Sequence, residues 1–336
     1  MKNLRKYIAA VLAMLMLSAV ALVPASAKTA GKTVRVGDKL TVTAYDLNGA
    51  KVTLDLGEAG IHAETFRAYK DVSYDKDATS ENQYDLYIPA SVSENGKGSL
   101  LVMIHGGGYN EGSKDMEPFC LFYAAAGYIV ANVNYRLTEK YNSVSLLDMD
   151  EDLYKAVAHI KKNLTKKGIV CEEMATHGYS AGGGLSLTYA YKHRNDSPIP
   201  VKFVSAGSAP VDFTSDAWIG SFSISSKQDA AEYITGDRYK ETDFGSGSKG
   251  EKALLKNSPM TYLDKNSVPT LLLYGENDLI VPTHQKDAFL KKLDKVGIHY
   301  ELITKPCGTH VTTLLSADFA GWMMRTLNWC ELYFTD

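Results

Sequence analysis

The sequence predicts an α/β fold, with a mostly parallel central sheet, helices on both faces and antiparallel strands at the N-terminal edge. From residue 99 onward, short apolar runs alternate with longer helical stretches, which is the order that a parallel sheet requires. Most of these runs are rich in apolar residues, as in strands buried on both faces. Between Lys32 and about Arg67, short β segments are separated by glycine and Asn-Gly turns, which is typical of antiparallel strands.

The predicted strands and helices can be assigned to individual segments of the sequence. The β segments near the N-terminus are TVRVG, LTVTAY and KVTLDL. Buried strands are predicted at SLLVMIH, YIVANVNY, MATHGYS, VKFVSAGSAP, TLLLYG and HYELIT, and helices over 117–126, 146–163, 180–193, 282–296 and 316–334. Residues 84–89, YDLYIP, alternate in polarity and end on proline, so we expect an outer strand there.

Residues 1–27 have the order of a secretory signal peptide. Basic residues precede an apolar run over 7–23, and Ala25, Ser26 and Ala27 follow, so cleavage is expected after Ala27. The alternative is an uncleaved anchor, but the run is shorter than the roughly 20 residues of a membrane span. We therefore expect a secreted or extracytoplasmic protein without stable membrane insertion after cleavage.

The net charge of the chain argues against nucleic acid as a partner. Loss of residues 1–27 removes three basic residues, so the formal net charge changes from −3 to −6. A mildly acidic chain without basic runs has little affinity for nucleic acid.

The four cysteines predict no structural zinc, since none is in a CxxC spacing. They allow three disulfide pairings, and free buried thiols fit the sequence equally well. The sequence leaves the oligomeric state open.

A candidate nucleophile lies in the stretch MATHGYSAGGG. Gly178-Tyr179-Ser180-Ala181-Gly182 satisfies G-x-S-x-G between a predicted strand and a predicted helix, as a nucleophile elbow requires. The turn is tight, so the neighbours of the serine have to be small. A serine that caps an ordinary strand–helix loop is the alternative.

A serine hydroxyl needs a base, and the base needs an orienting carboxylate. After Ser180, the strand TLLLYG is followed by Glu276 and Asp278; we favour Asp278, two residues further from the strand, and Glu276 is the alternative. His310, in the loop KPCGTHV, is the predicted base, whereas His284 falls early in a helix and is expected at the surface.

The stretch HGGGY supplies a second set of glycines. Backbone N–H groups without screening side chains can stabilise the oxyanion of an acyl-transfer transition state. We predict such donors at Gly107, Gly108 and Ala181, with Gly106 and His105 supporting the loop. The spacing fits neither G-x-G-x-x-G nor a phosphate-binding loop, which argues against a nucleotide site. His177 lies three residues before the serine, on the strand itself, and is expected to be a packed residue or one that supports the site without contacting the substrate.

These motifs resemble the α/β-hydrolase carboxylesterases, especially the hormone-sensitive-lipase-like branch with an HGGG loop and a GxSAGG elbow. VNYRL, SAPVDF, SPMTYL and YGENDLIVP also look like segments of that family, and the resemblance extends from Tyr84 to the C-terminus. Tyr179 departs from the aspartate usual in that branch. The resemblance implies a serine esterase, and exported members often remove acetyl or feruloyl groups from plant polysaccharides.

The sequence therefore predicts an exported serine carboxylesterase that acts on short-chain or aromatic acyl esters, including acylated carbohydrate, without cofactor or metal. Residues 28–80 form a β-rich edge or extension, and residues 81–336 form the catalytic domain. Within it, 213–258 is a surface excursion near the site, and Tyr109 and Tyr179 are candidate pocket residues. The alternatives are a serine exopeptidase on the same fold and a non-catalytic carbohydrate-binding homologue.

Overall fold

The computed structural model describes residues 66–76, 79–218, 224–314 and 316–335, and the backbone of three short strands before them. The predicted signal peptide, residues 1–27, lies outside the described residues. The strands, in chain order, are β1 (Lys32–Val34), β2 (Thr41–Tyr45), β3 (Lys51–Asp55), β4 (Phe66–Ser73), β5 (Gln83–Pro89), β6 (Leu100–Ile104), β7 (Ile129–Val133), β8 (Met174–Tyr179), β9 (Val201–Gly207), β10 (Thr270–Gly275) and β11 (Tyr300–Lys305).

Nine of these strands form one sheet in the order β1-β4-β5-β7-β6-β8-β9-β10-β11. The pairs β1·β4, β4·β5 and β5·β7 are antiparallel, and every following pair from β7·β6 to β10·β11 is parallel. The predicted architecture, a parallel sheet with antiparallel strands at its N-terminal edge, is confirmed. Strands β2 and β3 pair with each other in a separate two-stranded sheet.

Helices follow most strands, as predicted from the alternation. They are α1 (Ala90–Asn95), α2 (Glu117–Ala125), α3 (Leu146–Lys166), α4 (Ala181–Lys192), α5 (Lys227–Thr235), α6 (Lys249–Asn257), α7 (Thr283–Val296), α8 (His310–Leu314) and α9 (Ala317–Tyr333). Five of them match the predicted helices. No helix among the described residues is both long and apolar enough to span a bilayer.

The central strands of the sheet are buried on both faces, and alternate residues of each strand contribute to the core on one face or the other. In β6, Leu100, Val102 and Ile104 belong to the core that includes buried residues of α3 and α4. Leu101 and Met103 of the same strand face the second core, which includes residues of α2 and α9. Burial on both faces explains why the sequence of β6 is apolar throughout.

Two details of the strand prediction are wrong. β5 is not an outer strand, since it lies between β4 and β7. β4 itself was not predicted, because Lys70 and Asp71 interrupt its apolar residues where the pairing register shifts between Tyr69 and Val72. A β-bulge of this kind breaks the period of two on which a strand prediction depends. Lys70 is compensated by an ion pair with Asp85 of β5 (3.0 Å).

None of the four cysteines, all of which lie among the described residues, forms a disulfide bond. Cys120, Cys171 and Cys330 are buried, and Cys307 is exposed. Of the alternatives left open by the sequence, free thiols are therefore the ones that the structure contains.

Candidate active site

Ser180 sits at the sharp turn between β8 and α4. Its backbone angles, φ 58° and ψ −126°, lie outside the regions that L-residues normally adopt, which is the strain expected of a nucleophile elbow. The turn leaves no room for side chains nearby. A Cβ on Gly178 would lie 2.4 Å from the carbonyl O of Gly182, and a Cβ on Gly182 would lie 2.1 Å from the carbonyl O of Ile104.

Ser180, His310 and Asp278 form a hydrogen-bonded chain. Ser180 Oγ lies 2.9 Å from His310 Nε2, and His310 Nδ1 lies 2.7 Å from Asp278 Oδ2. Since a carboxylate can only accept, Nδ1 carries the proton and Nε2 is left to accept the serine hydroxyl hydrogen. The structure thus brings together three residues that are separated by 98 and 32 positions in the sequence.

Asp278 is held in a fixed orientation at the end of β10. Its side chain is fully buried, and Oδ1 accepts hydrogen bonds from the backbone N–H groups of Ile280 (3.0 Å) and Val281 (2.9 Å). Oδ2 is therefore the oxygen that faces His310. This carboxylate has one oxygen for the backbone and one for the imidazole.

The residues that the sequence offered besides Asp278 and His310 have other surroundings. Glu276 binds Lys286 through both carboxylate oxygens, each 3.1 Å from Nζ. His284 is exposed on α7. His177, predicted to be a packed residue, is stacked on Trp322 with ring centroids 4.3 Å apart. Burial lowers the pKa of His177 to about 3, so the ring stays neutral inside the core.

The glycine loop (residues 105–112) passes beside the elbow. Gly107 and Gly108 adopt φ values of 112° and 58°, which favour glycine. Within the described part of the chain, no backbone carbonyl accepts a hydrogen bond from the N–H groups of Gly107, Gly108 and Ala181. Gly106 approaches the elbow so closely that a Cβ there would lie 3.0 Å from the carbonyl O of Tyr179.

His105 braces the glycine loop from within. Its ring stacks on Tyr135, with centroids 4.2 Å apart, and its Nδ1 lies 2.7 Å from the carbonyl O of Gly106. Burial lowers the pKa of His105 to about 4, against the opposing effect of the Gly106 carbonyl, so the ring is neutral near pH 7. Tyr135 also donates to the carbonyl O of His105 (2.7 Å). The structure thus places His105, predicted to support the loop, against Tyr135 and the carbonyl of Gly106.

A narrow cavity opens beside Ser180. Its volume is about 20 Å³, little more than the roughly 10–15 Å³ that one water molecule needs on the same measure. Gly108, Ala181 and Ser180 form one side. The remaining wall is apolar and consists of Tyr109, Pro210, Phe213, Trp218, Ile224, Tyr233 and Val281. The cavity therefore suits a small apolar group attached to an atom at Ser180.

The two predicted pocket tyrosines have different places. Tyr109 lines the cavity, whereas Tyr179 is not among the lining residues. The Tyr179 hydroxyl instead donates to the backbone carbonyl of His310 (2.8 Å), and the two rings lie 5.3 Å apart. The position of Tyr179 is thus behind the histidine rather than in the cavity.

Part of the cavity wall comes from residues that the sequence did not single out. Phe213 and Trp218 stack on each other (5.3 Å), and Trp218 Nε1 donates to the carbonyl O of Asp212 (2.6 Å). Gln285 of α7 fixes this wall, since its Oε1 accepts from the N–H of Val211 and of Asp212 (3.1 and 2.9 Å). The sequence signals for this region were the segment SAPVDF (208–213), which looks like part of the esterase family, and the break in strand–helix alternation over 213–258.

Comparison with known proteins agrees with this architecture. The family model described as BD-FAE matches residues 84–293, more than half of the chain. The fold is similar to that of a truncated carbohydrate esterase from gut microbiota, with a TM-score of 0.61 and 18% sequence identity over 79% of this chain and 97% of that one.

Curated proteins with similar sequences share less than a quarter of their residues with this chain over the matched regions. Esterase LipC of Mycobacterium tuberculosis is 24% identical over 207 residues, covering 59% of this chain and 49% of its own length. A non-reducing polyketide synthase of Stachybotrys bisbyi is 22% identical over 346 residues, covering 86% of this chain and 16% of its own length. The chain thus spans half or less of the length of these relatives. On the extent of the family match, the chain belongs to the BD-FAE family, and its fold is the α/β-hydrolase fold.

Proposed function

We propose that this carboxylic ester hydrolase removes a small acyl group, acetyl above all, from the hydroxyl of an acylated carbohydrate. The observation that carries the proposal is the chain from Ser180 through His310 to Asp278, with hydrogen-bond distances of 2.9 and 2.7 Å, at the edge of a small apolar cavity. No step of the reaction requires a metal or a cofactor.

In the first step, Ser180 Oγ attacks the ester carbonyl carbon as its proton passes to His310 Nε2. The imidazolium that forms is stabilised by Asp278, which already holds the Nδ1 proton. The developing oxyanion takes the position that faces the N–H groups of Gly107, Gly108 and Ala181. One comparable donor is worth roughly 10²–10³ in rate. Proton transfer from His310 to the leaving oxygen then releases the alcohol and leaves Ser180 acylated.

In the second step, His310 activates a water molecule that attacks the acyl-enzyme. The same N–H groups stabilise the second oxyanion, and His310 returns its proton to Ser180 as the acid leaves. Both steps need the imidazole in one tautomer, with Nδ1 protonated. The two backbone N–H groups that hold Asp278 Oδ1 favour that tautomer by reserving Oδ2 for the histidine.

The cavity supports a small acyl group over an aromatic one. Gly108 and Ala181, two of the proposed oxyanion donors, line it together with Ser180, so an acyl carbonyl bound to them directs its substituent inward. At about 20 Å³ the space accepts a methyl group, whereas the ring of a feruloyl group needs several times more. The alcohol part leaves past His310, which protonates it, toward solvent.

The carbohydrate nature of the alcohol is supported by the similarity to the gut-microbiota carbohydrate esterase. Residues 1–27, with basic residues, an apolar run and Ala25-Ser26-Ala27, support export to a compartment where polysaccharides occur. We include export in the proposal as the route by which the protein reaches such a substrate.

The test is hydrolysis of p-nitrophenyl acetate, butyrate and octanoate, of methyl ferulate and of acetylated xylan, by the protein and by its Ser180→Ala variant. We expect serine-dependent turnover that is highest for acetate and falls with acyl length, together with release of acetate from the xylan. Turnover that survives Ser180→Ala would refute the mechanism. Hydrolysis of aminoacyl p-nitroanilides with no ester turnover would favour the exopeptidase alternative instead.

A further inference from the structure

Tyr233 joins the 213–258 excursion to the glycine loop. Its hydroxyl donates to the carbonyl O of Gly108 (2.5 Å) and lies 3.4 Å from Asn110 Oδ1. The same side chain lines the cavity beside Ser180. One tyrosine therefore contacts both the space proposed for the acyl group and the loop proposed to bind the oxyanion.

The end of α5 that carries Tyr233 is anchored. Thr138 Oγ1 donates to the carbonyl O of Tyr233 (3.3 Å), and the Thr138 N–H donates to the carbonyl O of Tyr109 (2.9 Å). One turn further on, the carbonyl O of Gly236 accepts from the N–H of Ser143 (3.2 Å). The tyrosine and the glycine loop thus share a fixed frame, which gives the hydroxyl a defined position relative to the loop.

We propose that Tyr233 is a positioning residue that makes the oxyanion-binding geometry depend on the size of the acyl group; this rests on the proposed function. Gly107 and Gly108 have no side chains to hold them, so hydrogen bonds to their carbonyl groups hold the loop. Gly107 O accepts from the N–H of Asn110 (3.2 Å) and of Glu111 (3.0 Å), and Gly108 O accepts from Tyr233, which fixes the peptide unit that follows Gly108. An acetyl group leaves the Tyr233 ring in place. A longer chain has to displace the ring, and the bond to Gly108 is lost with it.

This coupling changes how the enzyme discriminates among acyl groups. If cavity size alone acted, longer chains would bind less tightly and KM would rise. If the glycine loop is released as well, the transition state loses stabilisation that the bound ester does not need, and kcat falls. Tyr233 is then a determinant of acyl specificity that acts through kcat.

The test compares kcat and KM for p-nitrophenyl acetate and butyrate in the wild type, in Tyr233→Phe and in the control Tyr239→Phe. The control removes a phenol from another buried tyrosine of the same excursion. Tyr233→Phe keeps the cavity wall and removes one hydrogen bond, which corresponds to about a 3- to 10-fold loss of kcat on acetate with KM within about twofold. Butyrate, which already forgoes that bond, should lose less than about twofold.

The decisive quantity is the ratio of kcat on acetate to kcat on butyrate. It should fall by about 1.5- to 10-fold in Tyr233→Phe and stay at the wild-type value in Tyr239→Phe, with both variants folded in thermal unfolding. An unchanged kcat on acetate, or an equal loss on both esters, would overturn the coupling while leaving the esterase intact. Absence of turnover by the wild type on either ester would instead refute the proposed function.

Discussion

Asp278→Asn tests the tautomer reasoning, because the structure predicts which way the new amide will face. Oδ1 of Asp278 accepts two backbone N–H groups, at 3.0 and 2.9 Å, so the amide oxygen has to occupy that position. The amide nitrogen then faces His310 Nδ1 and donates to it. The imidazole proton is forced onto Nε2, next to Ser180, where a base is needed.

The expected loss is large. A histidine held in the wrong tautomer lowers kcat in comparable triads by about 10⁴, which corresponds to about 5.4 kcal/mol of activation free energy. The assay is kcat for p-nitrophenyl acetate near neutral pH, with thermal unfolding to show that the isosteric variant is folded. Glu276→Gln is the matched control, since its carboxylate binds Lys286 instead, and should keep kcat within about twofold. A loss below about tenfold in a folded Asp278→Asn protein would refute the reasoning.

Three further predictions concern packing, positioning and pH. Gly182→Ala places a Cβ 2.1 Å from the carbonyl O of Ile104 and should lower the free energy of unfolding by about 3 kcal/mol. The control is Gly245→Ala, whose Cβ has no neighbouring atom within 4 Å; it should leave the free energy of unfolding in denaturant unchanged. Tyr179→Phe removes the hydrogen bond to the carbonyl of the catalytic histidine and should lower kcat about 3- to 10-fold at constant KM; an unchanged kcat would show that the bond is dispensable. Burial lowers the pKa of His177 to about 3, so the histidine of the unfolded chain binds a proton at higher pH than that of the folded protein. The free energy of unfolding should therefore fall by up to about 1.4 kcal/mol per pH unit as pH drops from about 6.5. Urea titrations of His177→Leu should show a shallower decline with pH, and parallel curves for the two proteins would contradict the lowered pKa of His177.

The central strands of the main sheet were predictable because strands buried on both faces are rich in apolar residues, and the helices were predictable from their alternation with these strands. β6 and β10 are apolar at nearly every position, and the five long helices begin and end within a few residues of the predicted bounds. β4 escaped prediction because Lys70 and Asp71 interrupt its alternation at the bulge, and the ion pair of Lys70 with Asp85 forms only when β5 lies beside it. That compensation is a contact between strands and leaves no local pattern.

The same distinction applies to the site. Ser180 and the glycines around it are dictated by local sterics, so their motif is visible in the sequence. Asp278 could be favoured over Glu276 only by position, and the structure supplies the physical difference, which is the partner of each carboxylate. Tyr233 could not have been identified, because its hydroxyl meets a loop that lies 125 residues earlier in the chain. Its surroundings in sequence are those of an ordinary short helix.

The most direct test of the central claim is to identify the residue that an activated ester modifies. The protein is treated with p-nitrophenyl diethyl phosphate, whose phosphoryl group remains on an activated serine, and its peptides are analysed by mass spectrometry. We predict one diethylphosphoryl group on Ser180, in proportion to the loss of esterase activity, and none on Ser180 in the His310→Ala variant. Complete inactivation with Ser180 unmodified, or equal labelling of the His310→Ala variant, would contradict the account.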